Sequence, residues 1–426
     1  MWLAYELLYL LGFFLYLPRA LWRRRLPHAG WTMRLGRYPA GVLGPLRGRH
    51  PVWVHAVSVG EVLAARPLLR ALSDQRPGEP LLLSTITPAG FNVASQQGER
   101  VVPIYFPLDL RACVGGALSS LQPSCLLLVE SEIWPNAVRL AAGGGIPVAV
   151  VNGRLSPRAF ARYRLARPWL AGLWGRISLF LMQSQADADR LLALGAPPDR
   201  VKVTGSLKWD ASLSARPNEQ SIQQTAQRLG LERARPVIVA GSTHHGEETL
   251  LLRAFRTLRA ARADIQLILA PRHQERFDEV EALIRRSGWR TVRISSAQVG
   301  GAWDVVLVDV FGQLPLYYAL ASVALIGGSF IPHGGQNPLE ATSLGKPVVF
   351  GPSMYNFEAI THQLLAHHAA RQAATEPECA AVLAELLEHP EEAQAMGRRA
   401  QELTERFQGA TRRTLDALTP LLHVNS

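Results

Sequence analysis

Lysine is nearly missing from this chain of 426 residues. Only Lys202, Lys208 and Lys346 occur, so arginine supplies almost all of the 45 positive charges, and the formal net charge is still +11. Such an excess favours an anionic partner, which leaves nucleic acid, an acidic membrane surface and a phosphorylated substrate open. A lysine that is retained in this composition is more informative than usual.

Cysteine and charged residues are also scarce. The three cysteines, Cys113, Cys125 and Cys379, are odd in number and lack the short spacing of metal-ligand pairs. They argue against a disulfide framework and a zinc cage, and they fit a reducing compartment. Charged residues at 19% and hydrophobic residues at 48% describe a folded chain. Its length predicts two domains of roughly 200 residues each.

The amino terminus is the one long apolar run. Residues 1–17 carry a single charge, Glu6, and are followed by Pro18 and a cluster of arginines within 19–25. We predict a membrane anchor over 1–25, with the rest of the chain on the cytoplasmic face of the inner membrane because the arginines follow the apolar run. A helix of this length reaches about 26 Å, so a tilted span and a shallow insertion stay open. A buried helix is the alternative.

Short apolar runs rich in β-forming residues recur along the chain, separated by helical stretches. They predict strands at 51–58, 81–87, 125–131, 147–152, 179–184 and 201–206 and, after a polar stretch at 211–235, at 236–243, 265–271, 304–310, 323–329 and 346–352. Such strands alternating with helices predict doubly wound parallel sheets. We expect two Rossmann-like domains, 26–212 and 213–426, that face a cleft and bind ligands beyond the carboxyl ends of their strands.

Glu61 follows the first predicted strand, in the run Ser58-Val59-Gly60-Glu61 at the start of a predicted helix. A carboxylate at this position could accept a proton from an attacking hydroxyl group. The alternative is that Glu61 only complements the helix dipole, as glutamates in a first turn often do.

Two further candidates in the first domain also follow strands. Glu130 precedes a turn that also holds Glu132, for which helix capping is the competing account. The turn is expected to separate the two acids, so that only Glu130 faces the cleft. Lys208 follows the last strand and could neutralise a phosphate or carboxylate; the alternative is a surface lysine paired with Asp210.

An arginine ridge follows the strand that ends at 152. Arg154, Arg158 and Arg162 are spaced by four along a predicted helix and should share one face. The ridge suits phosphate groups or an anionic bilayer better than bases, because few aromatic residues are interleaved with it. A solvated helix face is the alternative, and we predict no nucleic-acid partner.

Three segments of the second domain predict a nucleotide site. The run 241–248 opens a helix whose backbone N–H groups favour an anion, and its adjacent histidines lack the partners of a metal site. Arg272, after Pro271, offers a guanidinium to a phosphate. The glycine-rich run 327–341 leads into a helix with Asn337 as N-cap and Pro338 as the first residue, and Glu340 could cap it or bind a ribose.

Seven of these segments together closely resemble the bacterial Kdo (3-deoxy-D-manno-octulosonic acid) transferases. They are SVGE, ESEIWPN, NGRLSPRA, GSLKWD, GSTHHGEE, APRHQERF and GGSFIPHGGQNPLEA, which occur in the order of the family and span almost the whole chain. The resemblance implies the two-domain glycosyltransferase B fold and an inverting transfer from CMP-Kdo to a lipid A precursor (lipid IVA) in lipopolysaccharide inner-core synthesis, without a metal or other cofactor.

The resemblance also implies residue roles. Glu61 matches the general base of the family, and Glu130 and Lys208 match the residues that stabilise the transition state. CMP contacts match Pro271 and Arg272, Gly312, Gln313 and Leu314, and Asn337, Pro338, Leu339 and Glu340. We assign the lipid phosphates of the acceptor to Arg154, Arg158 and Arg162.

Two positions depart from the family pattern. Ser206 stands where asparagine is usual, and Gln336 stands where histidine is usual, so a cationic imidazole at position 336 is lost. The rival enzyme class is a nucleotide-sugar epimerase of the same fold. The sequence does not define the number of Kdo units transferred, the depth of the anchor, the oligomeric state or the acyl-chain preference.

Overall fold

The structure, a computed structural model, describes residues 5–12, 15, 30–231, 235–296 and 302–422. The chain divides into two compact units: unit 1 is Met1–Ala211 together with Gly409–Ser426, and unit 2 is Ser212–Gln408. The sequence analysis placed everything after 212 in the second domain. The structure instead places the final segment in unit 1, because its last helix packs there.

The described residues form two seven-stranded parallel sheets. The sheet of unit 1 has the order β3-β2-β1-β4-β5-β6-β7, and that of unit 2 has the order β10-β11-β9-β8-β12-β13-β14. The strands are β1 Val52–His55, β2 Leu81–Thr85, β3 Val101–Tyr105, β4 Cys125–Val129, β5 Val148–Gly153, β6 Leu179–Met182, β7 Val201–Val203, β8 Val237–Thr243, β9 Gln266–Pro271, β10 Thr291–Arg293, β11 Val305–Leu307, β12 Val323–Ile326, β13 Val348–Phe350 and β14 Arg371–Gln372.

Helices connect these strands. They are α1 (5–12), α2 Trp31–Arg34, α3 Ala40–Leu43, α4 Val59–Gln75, α5 Pro88–Ala94, α6 Arg111–Leu121, α7 Pro135–Gly143, α8 Pro157–Leu165, α9 Arg167–Trp174, α10 Gln185–Ala193, α11 Leu207–Ser214, α12 Glu219–Leu229, α13 Glu247–Ala261, α14 Phe277–Arg286, α15 Leu314–Leu320, α16 Leu339–Thr342, α17 Glu358–Ala366, α18 Glu376–Glu388, α19 Pro390–Arg406 and α20 Ala410–Leu422. The predicted α/β class with two doubly wound sheets is confirmed.

Both faces of each sheet are covered. In unit 1, Trp53 and Leu82 belong to one apolar cluster, whereas Val54 and Leu83 belong to another on the opposite face. This follows from the period of two in a strand, which sends alternate side chains to opposite faces. Helix α20 completes the second cluster with Leu418 and packs against α4.

The sequence analysis missed three strands, β3, β10 and β14, and each is an edge strand of its sheet. Strand β3 contains Pro103, which lacks a backbone N–H and is tolerated where one side of the strand needs no partner. Strands β10 and β14 have three and two residues, none of them buried. Strands β10 and β14 therefore lack the continuous apolar run that identified the central strands, whereas the apolar run of β3 is interrupted by its proline.

The predicted anchor, 1–25, lies largely outside the described residues. Within α1, the hydroxyl of Tyr5 donates to Asp109 Oδ2 at 2.7 Å, and Glu6 Oε1 accepts the Arg111 backbone N–H at 2.9 Å. Four leucines of the predicted anchor are more than half exposed, namely Leu7, Leu8, Leu11 and Leu15. Helix α1 thus docks on unit 1 through its polar side chains. Among the described residues, no helix is both long and apolar enough to cross a bilayer.

Candidate active site

Glu61 lies in the first turn of α4, after the carboxyl end of β1. Its Oε2 accepts the backbone N–H of Val57 at 2.8 Å, and its Oε1 accepts the hydroxyl of Ser58 at 3.0 Å. The carboxylate therefore lies at the start of the helix, where it also complements the helix dipole as the alternative states, and its two hydrogen bonds fix its orientation. Burial, with the charge of Glu130 second, raises the pKa of Glu61 from 4.5 to about 7, although both hydrogen bonds lower it. This value is poised for proton transfer near neutral pH.

Glu130 and Lys208 form a partly buried ion pair. Lys208 Nζ lies 2.8 Å from Glu130 Oε1, and the two side chains are 14% and 15% exposed. Lys208 is therefore not the surface lysine of the alternative, and Asp210 accepts the backbone N–H groups of Gly409 and Thr411 at the start of α20. Glu130 also has a φ of 62°, a left-handed conformation that is costly for a residue other than glycine.

Glu132 was expected to turn away from Glu130, but the turn keeps the two acids in electrostatic contact. Burial raises the pKa of Glu132, and the charge of Glu130 raises it further. The charge of Glu132 in turn contributes to the raised pKa of Glu61. Three carboxylates thus share one region of unit 1.

Asn152 is a residue of this site that the sequence analysis did not select. It is fully buried with a φ of 54°, and its Oδ1 accepts the backbone N–H of Leu207 at 2.9 Å. Its Nδ2 lies 3.5 Å from Glu130 Oε1. Asn152 therefore connects the end of β5 to Glu130 and to the start of α11, which carries Lys208. An asparagine followed by glycine at a predicted strand end was the available signal, because asparagine tolerates the left-handed conformation.

The arginine ridge is only partly as predicted. Arg158 and Arg162 lie one turn apart on α8 and are exposed, but Arg154 precedes the helix. The reason is local: Ser156 Oγ accepts the Ala159 N–H, and Pro157 is the first helical residue. Arg154 therefore occupies the strand-to-helix loop, on the wall of a small cavity that Glu130 also lines.

In unit 2, Glu247 organises the glycine-rich run. Its carboxylate accepts backbone N–H groups from Gly328 at 2.6 Å, Ser329 at 3.0 Å, Phe330 at 3.0 Å and His244 at 2.9 Å. The prediction that the 241–248 turn offers free N–H groups to an anion is therefore wrong for His244. A protein carboxylate already satisfies these donors, so a bound phosphate needs other partners.

Arg272, Asn337 and Glu340 come together beyond the sheet of unit 2. Burial raises the pKa of Glu340 to about 7, while the Arg272 guanidinium and a hydrogen bond from Asn337 lower it. Helix α16 begins at Leu339, one residue later than predicted, and Asn337 Oδ1 accepts the Leu339 N–H at 3.1 Å. Pro271 ends β9, and the Arg272 N–H donates to Thr243 O at 2.9 Å, which ties it to β8.

Gly312, Gln313 and Leu314 form the entry to α15. Gly312 has a φ of 78°, Gln313 is the N-cap residue, and both are exposed. Helix α15 packs against α16, and burial, followed by the charge of Glu340, raises the pKa of Tyr318 on α15. Across the described residues, no group of three or more His, Cys, Asp or Glu side chains is arranged to hold a metal ion.

Two Rossmann-like units, each with a seven-stranded parallel sheet and candidate residues beyond the carboxyl ends of its strands, have the architecture of the glycosyltransferase B class. Residues 29–211 match the family model described as 3-deoxy-D-manno-octulosonic-acid transferase (kdotransferase). The chain is 37% identical to such a transferase from Bordetella pertussis, over 93% of this chain and 94% of that one. It is 32% identical to one from Haemophilus influenzae, over 92% and 91%. The chain therefore belongs to the Kdo transferase family.

A solved structure supports the fold independently. UDP-GlcNAc 2-epimerase from Neisseria meningitidis, bound to UDP-GlcNAc, has a TM-score of 0.59 with this chain at 17% identity, covering 87% of this chain and 99% of that one. At this identity the likeness concerns the fold alone. The epimerase alternative is therefore supported only by architecture, whereas the transferase relatives match in sequence over almost the whole chain.

Proposed function

We propose that this enzyme transfers Kdo from CMP-Kdo to a lipid A precursor, with Glu61 as the general base, during synthesis of the lipopolysaccharide inner core. The observation that carries the proposal is the Glu61 carboxylate, fixed by Val57 and Ser58 and raised in pKa to about 7. The identity of the transferred sugar is inferred from the names of the transferase relatives.

The chemistry in unit 1 follows from its charges. Ionised Glu61 accepts the proton of an acceptor hydroxyl as the oxygen attacks the anomeric carbon of Kdo, and the phosphate of CMP leaves from the opposite face with the bonding electrons. The Lys208 ammonium, held by Glu130 at 2.8 Å, places positive charge where negative charge develops.

Unit 2 is proposed to hold the nucleotide. The Arg272 guanidinium binds the phosphate. Asn337 and Glu340, at the entry to α16, form hydrogen bonds with the nucleoside. The close approach of these groups supports this assignment. Pro271, Pro338 and Leu339 shape the wall, and Gly312, Gln313 and Leu314 contribute through the entry to α15.

The acceptor is a lipid, and two surfaces of unit 1 suit it. The exposed arginines Arg158 and Arg162 on α8, with Arg154 before it, suit the phosphates of the lipid. The four exposed leucines at 7, 8, 11 and 15 suit insertion into the bilayer surface. We propose an enzyme at the cytoplasmic face of the inner membrane, bound through this segment.

Mass spectrometry tests the proposal directly. The purified full chain, incubated with CMP-Kdo and lipid A precursor, should add the mass of one or more Kdo residues to the lipid, and the number of additions gives the count. Conversion of a UDP-sugar to its epimer without transfer, or no product at all, would contradict it.

A further inference from the structure

Three histidines from three different strand ends converge in unit 2. His244 follows β8, His273 lies two residues beyond β9, and His333 lies in the loop after β12. The ring centroid of His244 is 4.0 Å from that of His333 and 5.2 Å from that of His273. His244 is buried, whereas His273 and His333 are exposed, so His244 forms the floor of a histidine cluster that opens to solvent.

The tautomer of His244 is set by a neighbour. The side-chain nitrogen of Gln336 lies 3.1 Å from His244 Nε2, and because the amide donates, that ring nitrogen must accept. The ring proton of neutral His244 is then on Nδ1, where it is a hydrogen-bond donor. Burial, followed by His333, His273, Arg272 and Arg276, lowers the pKa of His244 to about 4, so the ring is neutral at physiological pH.

The surroundings of the histidine cluster are short of free negative charge. The acids near it already have partners: Glu247 accepts four backbone N–H groups, Glu248 pairs with Arg276 at 2.7 Å, and exposed Glu275 lies 3.9 Å from His273. Donors and positive charge therefore dominate, and a small anion is the ligand that this surface suits.

The sheet register places the cluster beside the proposed phosphate site. Thr243 of β8 pairs with Pro271 of β9, so the residues that follow, His244 and Arg272, start from neighbouring positions on paired strands. Paired strands lie about 4.8 Å apart. In an ulosonic acid donor the carboxylate carbon is bonded directly to the anomeric carbon, which also carries the phosphate. Its two anionic groups are therefore close neighbours and call for two adjacent binding groups.

We propose that His244 and His333, with His273 at the rim, form a binding site for the carboxylate of the donor sugar and so select an acidic sugar over a neutral one. The inference rests on the proposed function for the identity of the donor, and it assigns the phosphate and the carboxylate to adjacent but separate groups.

Steady-state kinetics with two ligands test the assignment. The KM for CMP-Kdo and the inhibition constant of CMP, which lacks the carboxylate, are measured for the wild type and for His333→Ala, His273→Ala and His244→Asn. The KM should rise roughly tenfold or more in His333→Ala and His244→Asn, as expected for loss of a hydrogen bond to a charged group, and less in His273→Ala. The inhibition constant of CMP should stay within about twofold.

His245→Ala is the matched control, because His245 is adjacent in sequence but 84% exposed and paired with Glu279. It should leave both constants unchanged. If the variants raised the inhibition constant of CMP as much as the KM for CMP-Kdo, the histidines would belong to the nucleotide site and the inference would be overturned. An unchanged KM in His333→Ala would also overturn it, because His333 is exposed and its replacement does not endanger the fold. Absence of transfer by the wild type would instead overturn the proposed function.

Discussion

Glu61 has a structural role and a proposed catalytic role at the residue scale, and the two are compatible. Its carboxylate caps the start of α4, and those same hydrogen bonds hold its oxygens in one orientation. A base that is already oriented loses little entropy when the acceptor binds. The structural role at the start of the helix and the proposed role as base, which the sequence presented as alternatives, are therefore compatible with one geometry.

Replacing the base tests this directly. Glu61→Gln keeps the shape of the side chain but removes its basicity, and we expect kcat to fall by about 10²- to 10⁴-fold. CMP affinity should not change, because the residues assigned to the nucleotide belong to unit 2. The exposed Glu99→Gln serves as the control in unit 1. Turnover like that of the wild type would contradict the assignment.

The pH dependence offers a second test. Because Glu61 must be ionised to accept a proton, kcat/KM should rise with pH through about 7 and then level off. Glu132→Gln removes a like charge and should move this limb to lower pH, whereas Ser58→Ala removes a hydrogen bond to the carboxylate and should move it to higher pH. Shifts in the same direction in both variants would show that another group titrates.

Asn152 acts at the scale of elements, since it joins β5, the Glu130 turn and α11. Asn152→Ala and Asn152→Gly both remove the side chain and should lower kcat similarly by loosening the Lys208–Glu130 pair. Of these two residues, only alanine is strained at a φ of 54°. The free energy of unfolding of Asn152→Gly should therefore exceed that of Asn152→Ala by at least ~1 kcal/mol. Denaturant titration and kinetics on the same samples measure the two quantities. If kcat were lower in the less stable variant, the role of Asn152 would be purely structural.

Glu247 joins α13 to the loop after β12 in a comparable way. Glu247→Gln replaces an acceptor of four backbone N–H groups by an amide with one acceptor oxygen, leaving buried donors unpaired. We expect the free energy of unfolding of unit 2 to fall by at least ~2 kcal/mol and the affinity for CMP to decrease. Calorimetry against the exposed Glu275→Gln variant measures the first effect. Unchanged melting would show that the loop holds its shape without this carboxylate.

How much the sequence revealed depended on the kind of element. Central strands and the residues at their carboxyl ends, such as Glu61, Glu130 and Arg272, were predictable because full burial imposes an apolar run and a turn follows it. The edge strands β10 and β14 were not, because strands of three and two residues with no buried residue carry no such run. The partners of side chains were the least predictable, because the ion pair of Lys208 with Glu130 depends on how two separate loops fold together.

At the scale of the whole molecule, the proposed membrane contact combines the net charge of +11 with the exposed leucines at 7, 8, 11 and 15. The Leu8→Glu, Leu11→Glu double variant should lose most binding to vesicles containing anionic phospholipid, because it removes apolar insertion. The Arg158→Glu, Arg162→Glu variant should mainly reduce the salt-sensitive part of binding and raise the KM for the lipid acceptor.

Co-sedimentation at two salt concentrations measures the vesicle binding of both variants. Val203→Glu, on the exposed edge strand β7, is the matched control and should bind as the wild type does. Unimpaired sedimentation of the leucine variant would exclude this segment as the membrane contact. An equal change in the KM for CMP-Kdo would argue against a role for the arginines in acceptor binding.

The position of helix α20 in the sequence affects the order in which the two units can fold during synthesis. Its residues Ala410 and Leu418 complete the apolar layer over the β1–β4 region, yet they leave the ribosome roughly 200 residues after the rest of unit 1. At ~5–20 residues per second this delay is on the order of 10–40 s. During that interval the newly made amino-terminal part of unit 1 leaves a hydrophobic face uncovered, and all of unit 2 emerges before α20 does. The unit that is encoded second is therefore the first that can finish folding.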